Sequence, residues 1–526
     1  MHATTFTPDQ VRAAEAPLLD FQSHPDELMQ SAAHAVFEAA KAMLAGGSGG
    51  SSGRALVLAG PGGNGGDALY AGAELQLAGH NVDALLTAGH AQERALSAFT
   101  NAGGTVLERL PEGSAEYALA IDGITGIGGS GGLRGELVDV VAWLRGVQVL
   151  AVDVPSGVDA NTGVAGELHV SADATVTFGG WRRAHALAPE CGVQLLADIG
   201  LPGRPLHSAL LETLPEWAHE GPALVLANRA VPGPGHWPSS LTPLRAASVR
   251  PVEPGPYDDK YSGGVVGVRA GSDGYPGAAL LAVSGAVHAS PAMVRYAGPQ
   301  AAEVVRAHPE VVVTQTLEDA GRVQAWVFGP GAGTDKAAAA ELSWILRQEV
   351  PVLIDADGLT LLAEHPDLRQ QVAKRQQTTV LTPHDGEFAR LQKAAGVAAG
   401  IRFEETLALA ATLRATIVRK GRITLVAPED EPHLIHAVDA GHSWAATPGS
   451  GDVLAGIMGA HLALAAARTP YADAAIAATT TGAVTVHALA ASLAAETPFG
   501  PATAPASRIA EFVRPATALC TRGTHA

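Results

Sequence analysis

Two glycine-rich turns carry most of the chemistry this sequence offers. The first is Gly60-Pro61-Gly62-Gly63-Asn64-Gly65-Gly66-Asp67. It contains a literal G-x-G-x-x-G, the pattern that lets a backbone approach a pyrophosphate at a helix N-terminus. That fingerprint also wants an acidic residue at the end of the next strand, and here Asp83 lies near the start of the run that ends at Thr87. Asn64 and Asp67 instead sit inside the turn. Asp122, Asp153 and Ser156 follow at matching places, each at the end of an apolar run. Asn64 and Asp122 offer hard oxygens suited to a cation. A carboxylate beside a glycine-lined pocket can act as a general acid or base. Any one of the five reads equally well as a turn or helix cap; five at successive strand ends point to a site.

The second turn is Thr447-Pro448-Gly449-Ser450-Gly451-Asp452, running into the apolar stretch Val453 to Met458. A loop entering a helix aims its free amides at an anion, and the helix dipole adds to the attraction. Asp452 is then placed to take a proton from a hydroxyl that attacks a terminal phosphate. Its rival reading is a helix cap with an acid in the first turn. Four more turns fall at strand ends: Lys420-Gly421-Arg422-Ile423-Thr424, Gly329 to Thr334, Asp355 to Gly358, and Thr382 to Phe388 with His384 inside it. No G-x-x-x-x-G-K-[ST] occurs, which argues against a P-loop enzyme.

Short apolar runs alternating with helical periodicity must position these turns. A helix is expected over 26–45. Strands are expected at 55–59, 82–87, 117–121 and 147–152, with helices at 68–77, 92–102 and 137–145. The alternation fades after Pro202, through a stretch rich in Pro and Gly, and resumes with strands at 264–269, 311–314, 325–328, 352–354, 379–381, 417–419 and 423–426. Strands alternating with helices mean parallel sheets covered on both faces, whose C-terminal strand ends share one edge. The reading is therefore α/β in two domains, 1–205 and 226–526, joined by a linker at 206–225.

Composition bounds the rest. A chain of 526 residues, 47% of them hydrophobic, has material for two cores. Acidic residues outnumber basic ones 52 to 34, a formal charge of -18 that disfavours nucleic acid and anionic membranes as partners. Cys191 and Cys520 fall in different expected domains, so no disulfide is expected, in keeping with a cytoplasmic protein. Neither a signal peptide nor a membrane-spanning run stands out.

Residues 26–202 resemble the NAD(P)H-hydrate epimerase family (the YjeF N-terminal domain) through Gly60 to Asp67, Asp122 to Gly128, Val152 to Asp159, Thr175 to Gly179 and Asp198 to Pro202. Residues 258–495 resemble the ribokinase-like NAD(P)H-hydrate dehydratases. The match runs through Asp259 to Gly263, Gly271 to Ala279 and the turns already described. The resemblance implies a Rossmann-like three-layer domain followed by a ribokinase-like one. It also implies a bifunctional enzyme that interconverts the R and S hydrates of NADH and NADPH and dehydrates the S form using ADP or ATP with magnesium. Residue by residue, it implies a potassium ion on Asn64, Asp122 and Ser156. Hydrate would lie on Gly63, Asn64, Gly65, Gly66, Asp67, Gly126, Ile127, Gly128, Gly129, Ser130, Gly131, Gly132 and Asp153, with Asp153 as acid/base. In the second domain Asp452 would be the base, Ala278, Gly331, His384 and Asp452 would touch the hydrate, and Lys420, Gly421, Arg422, Ile423, Thr424 and Gly451 the adenine nucleotide. A homo-oligomer is expected. Gly63 stands where the family usually has a second Asn, Ile127 where it has Thr, Arg182 where Lys is common, and Pro448 where Gly is common. Three alternatives stay open: a ribokinase-like small-molecule kinase, a dehydratase with an inactive first domain, and a non-catalytic binding protein.

Overall fold

The structure, a computed structural model, describes residues 4–46, 53–129, 132–135, 137–214, 224–231, 233, 236–245, 249, 256–257, 259–289, 291–468 and 475–521. The chain divides into two compact units.

The first unit is built on an eight-stranded sheet. Across the sheet the strands run Leu241–Pro243, Val193–Ala197, Ala174–Phe178, Gln148–Val152, Tyr117–Gly123, Arg54–Ala59, Val82–Leu86 and Thr105–Leu107. All pairings are parallel except that of Leu241–Pro243, which runs antiparallel to Val193–Ala197. Strand order reverses between Arg54–Ala59 and Tyr117–Gly123, so the crevice outside their C-terminal ends is where a ligand belongs. The central strands are almost wholly buried, as strands covered on both faces must be. Helix α1 (Pro8–Asp20) starts from a capping box in which Thr7 and Gln10 satisfy each other's backbone amides. Helix α2 (Glu27–Gly46) and helix α3 (Gly63–Leu77) bury their apolar stripes, including Leu28, Val36, Leu69 and Leu75, in the core with the strands.

Two boundaries differ from the sequence reading. Helix α3 begins at Gly63, not near residue 68, so the glycine turn is itself the first helical turn. Glycine's poor helix propensity hides this in the sequence. Close packing explains it: a Cβ on Gly65 would lie 2.0 Å from the Gly60 carbonyl oxygen, and one on Gly60 would lie 1.9 Å from that of Ile124. The domain boundary also moves. The expected linker contains a helix, Leu206–Glu212, whose Leu206 and Leu210 are buried in the first core. Val225–Ala227 and the strand Leu241–Pro243 belong to the first unit, Asn228–Val231 and the chain from Arg245 onward to the second. Prolines made this stretch read as a linker, but Pro243 stands on an edge strand, where its missing N–H costs no ladder bond. Residues 215–223 lie outside the described residues.

The sheet of the second unit runs, in order, Leu434–Asp439, Ile423–Ala427, Thr416–Arg419, Thr379–Leu381, Val352–Ile354, Ala325–Phe328, Val265–Arg269, Met293–Ala297 and Val312–Thr314. From Thr416–Arg419 to Val312–Thr314 the pairing is parallel; Ile423–Ala427 pairs antiparallel to both of its neighbours. Order reverses between Ala325–Phe328 and Val265–Arg269. Helices Ser450–Arg468 and Ile476–Ala495 are each long and apolar enough to cross a membrane, yet both are mostly buried in the unit, where they contribute to its core.

Candidate active sites

In the first unit a cavity of about 520 Å³ opens at the switch point. Gly63, Asn64, Asp67, Gly126, Ile127, Gly128, Gly129 and Asp153 line it together. Gly65 and Gly66 are not among the lining residues; they are buried in α3. Gly132 packs against Gly166, where an added Cβ would lie 3.2 Å from the Gly166 Cα. Ser130 and Gly131 lie outside the described residues.

Asp153 is held from several sides. Its φ of +64° puts a non-glycine residue in the left-handed region, which needs outside support. His185 supplies part of it: Nδ1 accepts from the Arg182 amide at 2.8 Å and Nε2 donates to the Asp153 carbonyl at 2.6 Å. Burial lowers that imidazole to about 4, so it stays neutral and keeps the tautomer the two bonds require. Thr177 Oγ1 donates to the Asp153 carboxylate at 2.8 Å, and Arg182 Nε lies 3.1 Å from the same oxygen. Both ion-pair partners are buried. Asp67 is also buried, and burial followed by the charges of Asp153 and Glu15 raises its carboxyl well above the usual range.

Beneath the cavity Asp122 is wholly buried and accepts from the Ser156 amide at 2.8 Å, Ser156 Oγ at 2.6 Å and the Ile124 amide at 3.3 Å. Burial pushes it up to about 6, against those bonds. Asn64 Nδ2 donates to the carbonyls of Val152 at 2.6 Å and Thr125 at 3.2 Å. Ser156 Oγ meets Thr125 on both sides, accepting from its amide and donating to its carbonyl. Five oxygen-bearing groups thus gather within one hydrogen-bonded cluster. Sequence reasoning missed Glu15, Thr125, Thr177 and His185. The loop before Gly126 carried a signal for Thr125, whereas only the fold places α1 and the segment Thr177–His185 at this edge.

In the second unit the chain enters Ser450–Arg468 through Gly449, whose φ of +82° suits glycine and whose added Cβ would lie 2.4 Å from Leu281. Ser450 is buried, and its Oγ meets His487 Nε2 at 2.9 Å. Lys420 Nζ lies 2.6 Å from Asp355 and 3.9 Å from Glu387. An added Cβ on Gly451 would lie 3.4 Å from that same nitrogen, so the structure brings Lys420, Asp355 and Gly451 together. Asp452 is pushed up to about 7 by burial and by Asp355, with Lys420 acting against them. Burial opposes the Lys420 charge, but its acidic neighbours prevail and raise it. Gly331 and Ala278 also meet: a Cβ on Gly331 would lie 2.8 Å from that of Ala278.

The remaining expected residues split. Arg422 is turned to Asp439, at 2.7 Å, and Ile423 is buried in its strand. Thr424 Oγ1 donates to the Gly421 carbonyl at 3.2 Å, which shapes the hairpin turn. His384 caps its helix: Nδ1 accepts from the Gly386 amide at 3.0 Å, and Glu387 returns the bond to the His384 amide at 2.8 Å. The sequence did not reveal that Asp355 and Glu387 hold Lys420.

Two doubly wound units, each gathering carboxylates at C-terminal strand ends and one of them beside a glycine loop that enters a helix, fit an enzyme with two sites. Family models place it further. Residues 25–184 match the YjeF-related protein N-terminus, and residues 266–513 match NAD(P)H-hydrate dehydratase. The chain is 44% identical to the bifunctional NAD(P)H-hydrate repair enzyme Nnr of Corynebacterium glutamicum, across 98% of each chain. It is 45% identical to that of Mycobacterium tuberculosis, across 87% of this chain and 89% of that one. An ADP-dependent (S)-NAD(P)H-hydrate dehydratase of Neisseria meningitidis is 36% identical over 39% of this chain and 72% of that one. Among solved structures, the ADP/ATP-dependent NAD(P)H-hydrate dehydratase of Bacillus subtilis, co-crystallized with ATP/Mg2+, covers 51% of this chain and 94% of its own, at 24% identity and a TM-score of 0.42. The chain belongs to the bifunctional NAD(P)H-hydrate repair enzyme family.

Proposed function

We infer that the first unit interconverts the R and S hydrates of NADH and NADPH and that the second dehydrates the S form at the expense of ADP or ATP. The observation that carries this reading is the full-length match to a bifunctional repair enzyme, with an acid in place in each of two separate sites. The Neisseria relative favours ADP.

In the second site the ring hydroxyl attacks the terminal phosphate while Asp452 takes its proton; the phosphoanhydride bond breaks and the shorter nucleotide leaves. The phosphate ester is a good leaving group, and its elimination restores the dihydronicotinamide. An acid near 7 is poised for such transfer at neutral pH. The amides of Gly451 and Asp452 at the start of the helix and the Lys420 ammonium would meet the phosphates. Magnesium would neutralise charge on those phosphates.

In the first site Asp153 is the acid/base and Asp67 a wall of the hydrate pocket. The donor set beneath it fits a potassium ion: Asn64, with its amide turned over, would join Asp122, Ser156 and the carbonyls of Thr125 and Val152. A cation there supplies the positive charge that buried Asp122 lacks.

Absorbance at 340 nm on a mixed R and S hydrate, with magnesium and either nucleotide, tests the whole reading. NADH recovered beyond the S fraction, faster than spontaneous epimerisation, is expected. Recovery that stops at the S fraction would remove the first activity, and no recovery with either nucleotide would remove the second.

A further inference from the structure

One carboxyl in the first cavity has no task in the chemistry above. Glu15 lies on α1, outside residues 25–184 covered by the matching family model, yet it lines the cavity with Asp67 and Asp153. Local pairing fixes where it stands. Phe6 pairs in parallel register with Arg182, the Thr7 capping box then starts α1, and Arg12 Nη2 donates to the Ile127 carbonyl at 3.4 Å. Glu15 follows Arg12 by three residues, one helical turn on the same face. It is half-buried and makes no hydrogen bond or ion pair among the described residues, so its carboxyl does not serve to hold structure.

Inverting a hydroxyl-bearing ring carbon imposes a geometric demand. The hydroxyl leaves from one face and water returns on the other. One group must protonate the departing oxygen, and a second must deprotonate the incoming water from the opposite side. Asp153 follows the strand Gln148–Val152 and Glu15 stands on α1, so two separate elements bring carboxyls to the same cavity.

We propose that Glu15 is the second proton-transfer residue of the epimerase site and works on the face of the ring away from Asp153. This rests on the epimerase reading of that cavity. In one direction Glu15 gives its proton to the ring hydroxyl. The C–O bond breaks, water forms, and the ring nitrogen lone pair stabilises the cation. Water then adds from the Asp153 side, forming the new C–O bond and passing one proton to Asp153. Protons given and taken balance, and the reverse direction swaps the two roles. The surroundings suit a donor: burial raises the Glu15 carboxyl, the Arg182 charge opposes this, and Asp153 adds to it.

The test uses the full chain and R hydrate alone, so that NADH appears only after epimerisation; S hydrate in parallel reports the second unit. Glu15→Gln is expected to lower kcat for R hydrate by about 100-fold, with KM within about threefold and S-hydrate turnover unchanged. Glu15→Asp keeps the carboxyl and is expected to recover part of kcat together with the acid limb of its pH profile. The proposal is overturned if Glu15→Gln keeps kcat within about threefold, if its loss falls wholly in KM, or if Asp and Gln behave alike. A wild-type chain that turns over S but not R hydrate overturns the epimerase reading itself, and the proposal with it.

Discussion

The two sites solve the same placement problem with opposite electrostatics. Both gather acids at C-terminal strand ends; the first sits where strand order reverses, and the second draws Asp355 and Lys420 from the ends of Val352–Ile354 and Thr416–Arg419. In the first, Asp153 is tied to Arg182, Thr177 and a neutral His185, and its neighbours Asp67 and Glu15 carry the raised proton affinity. In the second, the cation is tied to a neighbour: Lys420 pairs most closely with Asp355, and Asp452 itself is pushed up to about 7. A clamped acid on a fixed backbone suits a reaction that must reach both faces of one carbon. A perturbed base beside a cation suits transfer of an anionic phosphoryl group.

The largest effect that could break this contrast is a double dissociation. Asp452→Asn is expected to lower S-hydrate dehydration by about 10²–10⁴-fold and leave R/S interconversion unchanged. Asp153→Asn is expected to do the converse, since Asn tolerates the left-handed backbone but cannot pair with Arg182. Following interconversion by separating the two hydrates, without added nucleotide, reads the first activity alone. A variant that lowers both would mean that the sites are not independent.

A smaller shift sharpens the electrostatic half. Asp452 must be ionised to act as base, so dehydration is expected to rise with pH through about 7. Asp355 raises Asp452 and binds the Lys420 charge that would lower it. Asp355→Asn therefore moves the limb to lower pH, by about one unit, and dehydration at pH 6 gains relative to pH 8. A limb that stays in place, or moves up, would assign the raised acid to burial alone.

The next effect is on stability and concerns the cluster of Asn64, Asp122 and Ser156 proposed to hold potassium. Asp122 is held up to about 6 in the fold, so its ionised form is disfavoured there, and this contribution makes stability fall as pH rises from the ordinary carboxylate range through about 6. Potassium favours the ionised form. It is expected to raise the first unit's Tm more at pH 7.5 than at pH 5, with Ser156→Ala weakening the gain. Equal stabilisation at both values would place the ion elsewhere.

How far the sequence could be read follows the same divide. Strand ends were legible because a carboxylate after an apolar run marks both a strand and a sheet edge, and Asp122, Asp153 and Asp355 all fall there. The Gly449 to Asp452 turn was legible as a helix entry. Helix α1 was not, because Pro17 lies within it and its apolar stripe is thin: Val11, Ala14 and Leu18 alone are buried. Its place beside Arg182 depends on a two-residue pairing that no local pattern announces. The Asp355–Lys420 contact spans 65 residues and joins two turns that each looked complete alone.

The smallest predicted effect concerns the departures from the family pattern. An added Cβ on Gly63 meets nothing within 4 Å, and the residue is exposed at the start of α3. Gly63→Asn therefore adds a side chain without displacing one, and a second amide beside Asn64 can only add a contact to the bound hydrate. It is expected to leave kcat for interconversion within about threefold and to lower KM by no more than one hydrogen bond allows, about tenfold. Ile127 differs, because its side chain packs against buried residues, including those around Val154 and Ala184. Replacing it with Thr exchanges that packing for a hydroxyl. If Gly63→Asn raised kcat a hundredfold, the first site would be impaired as it stands, and the contrast drawn here would be between a working site and a failing one.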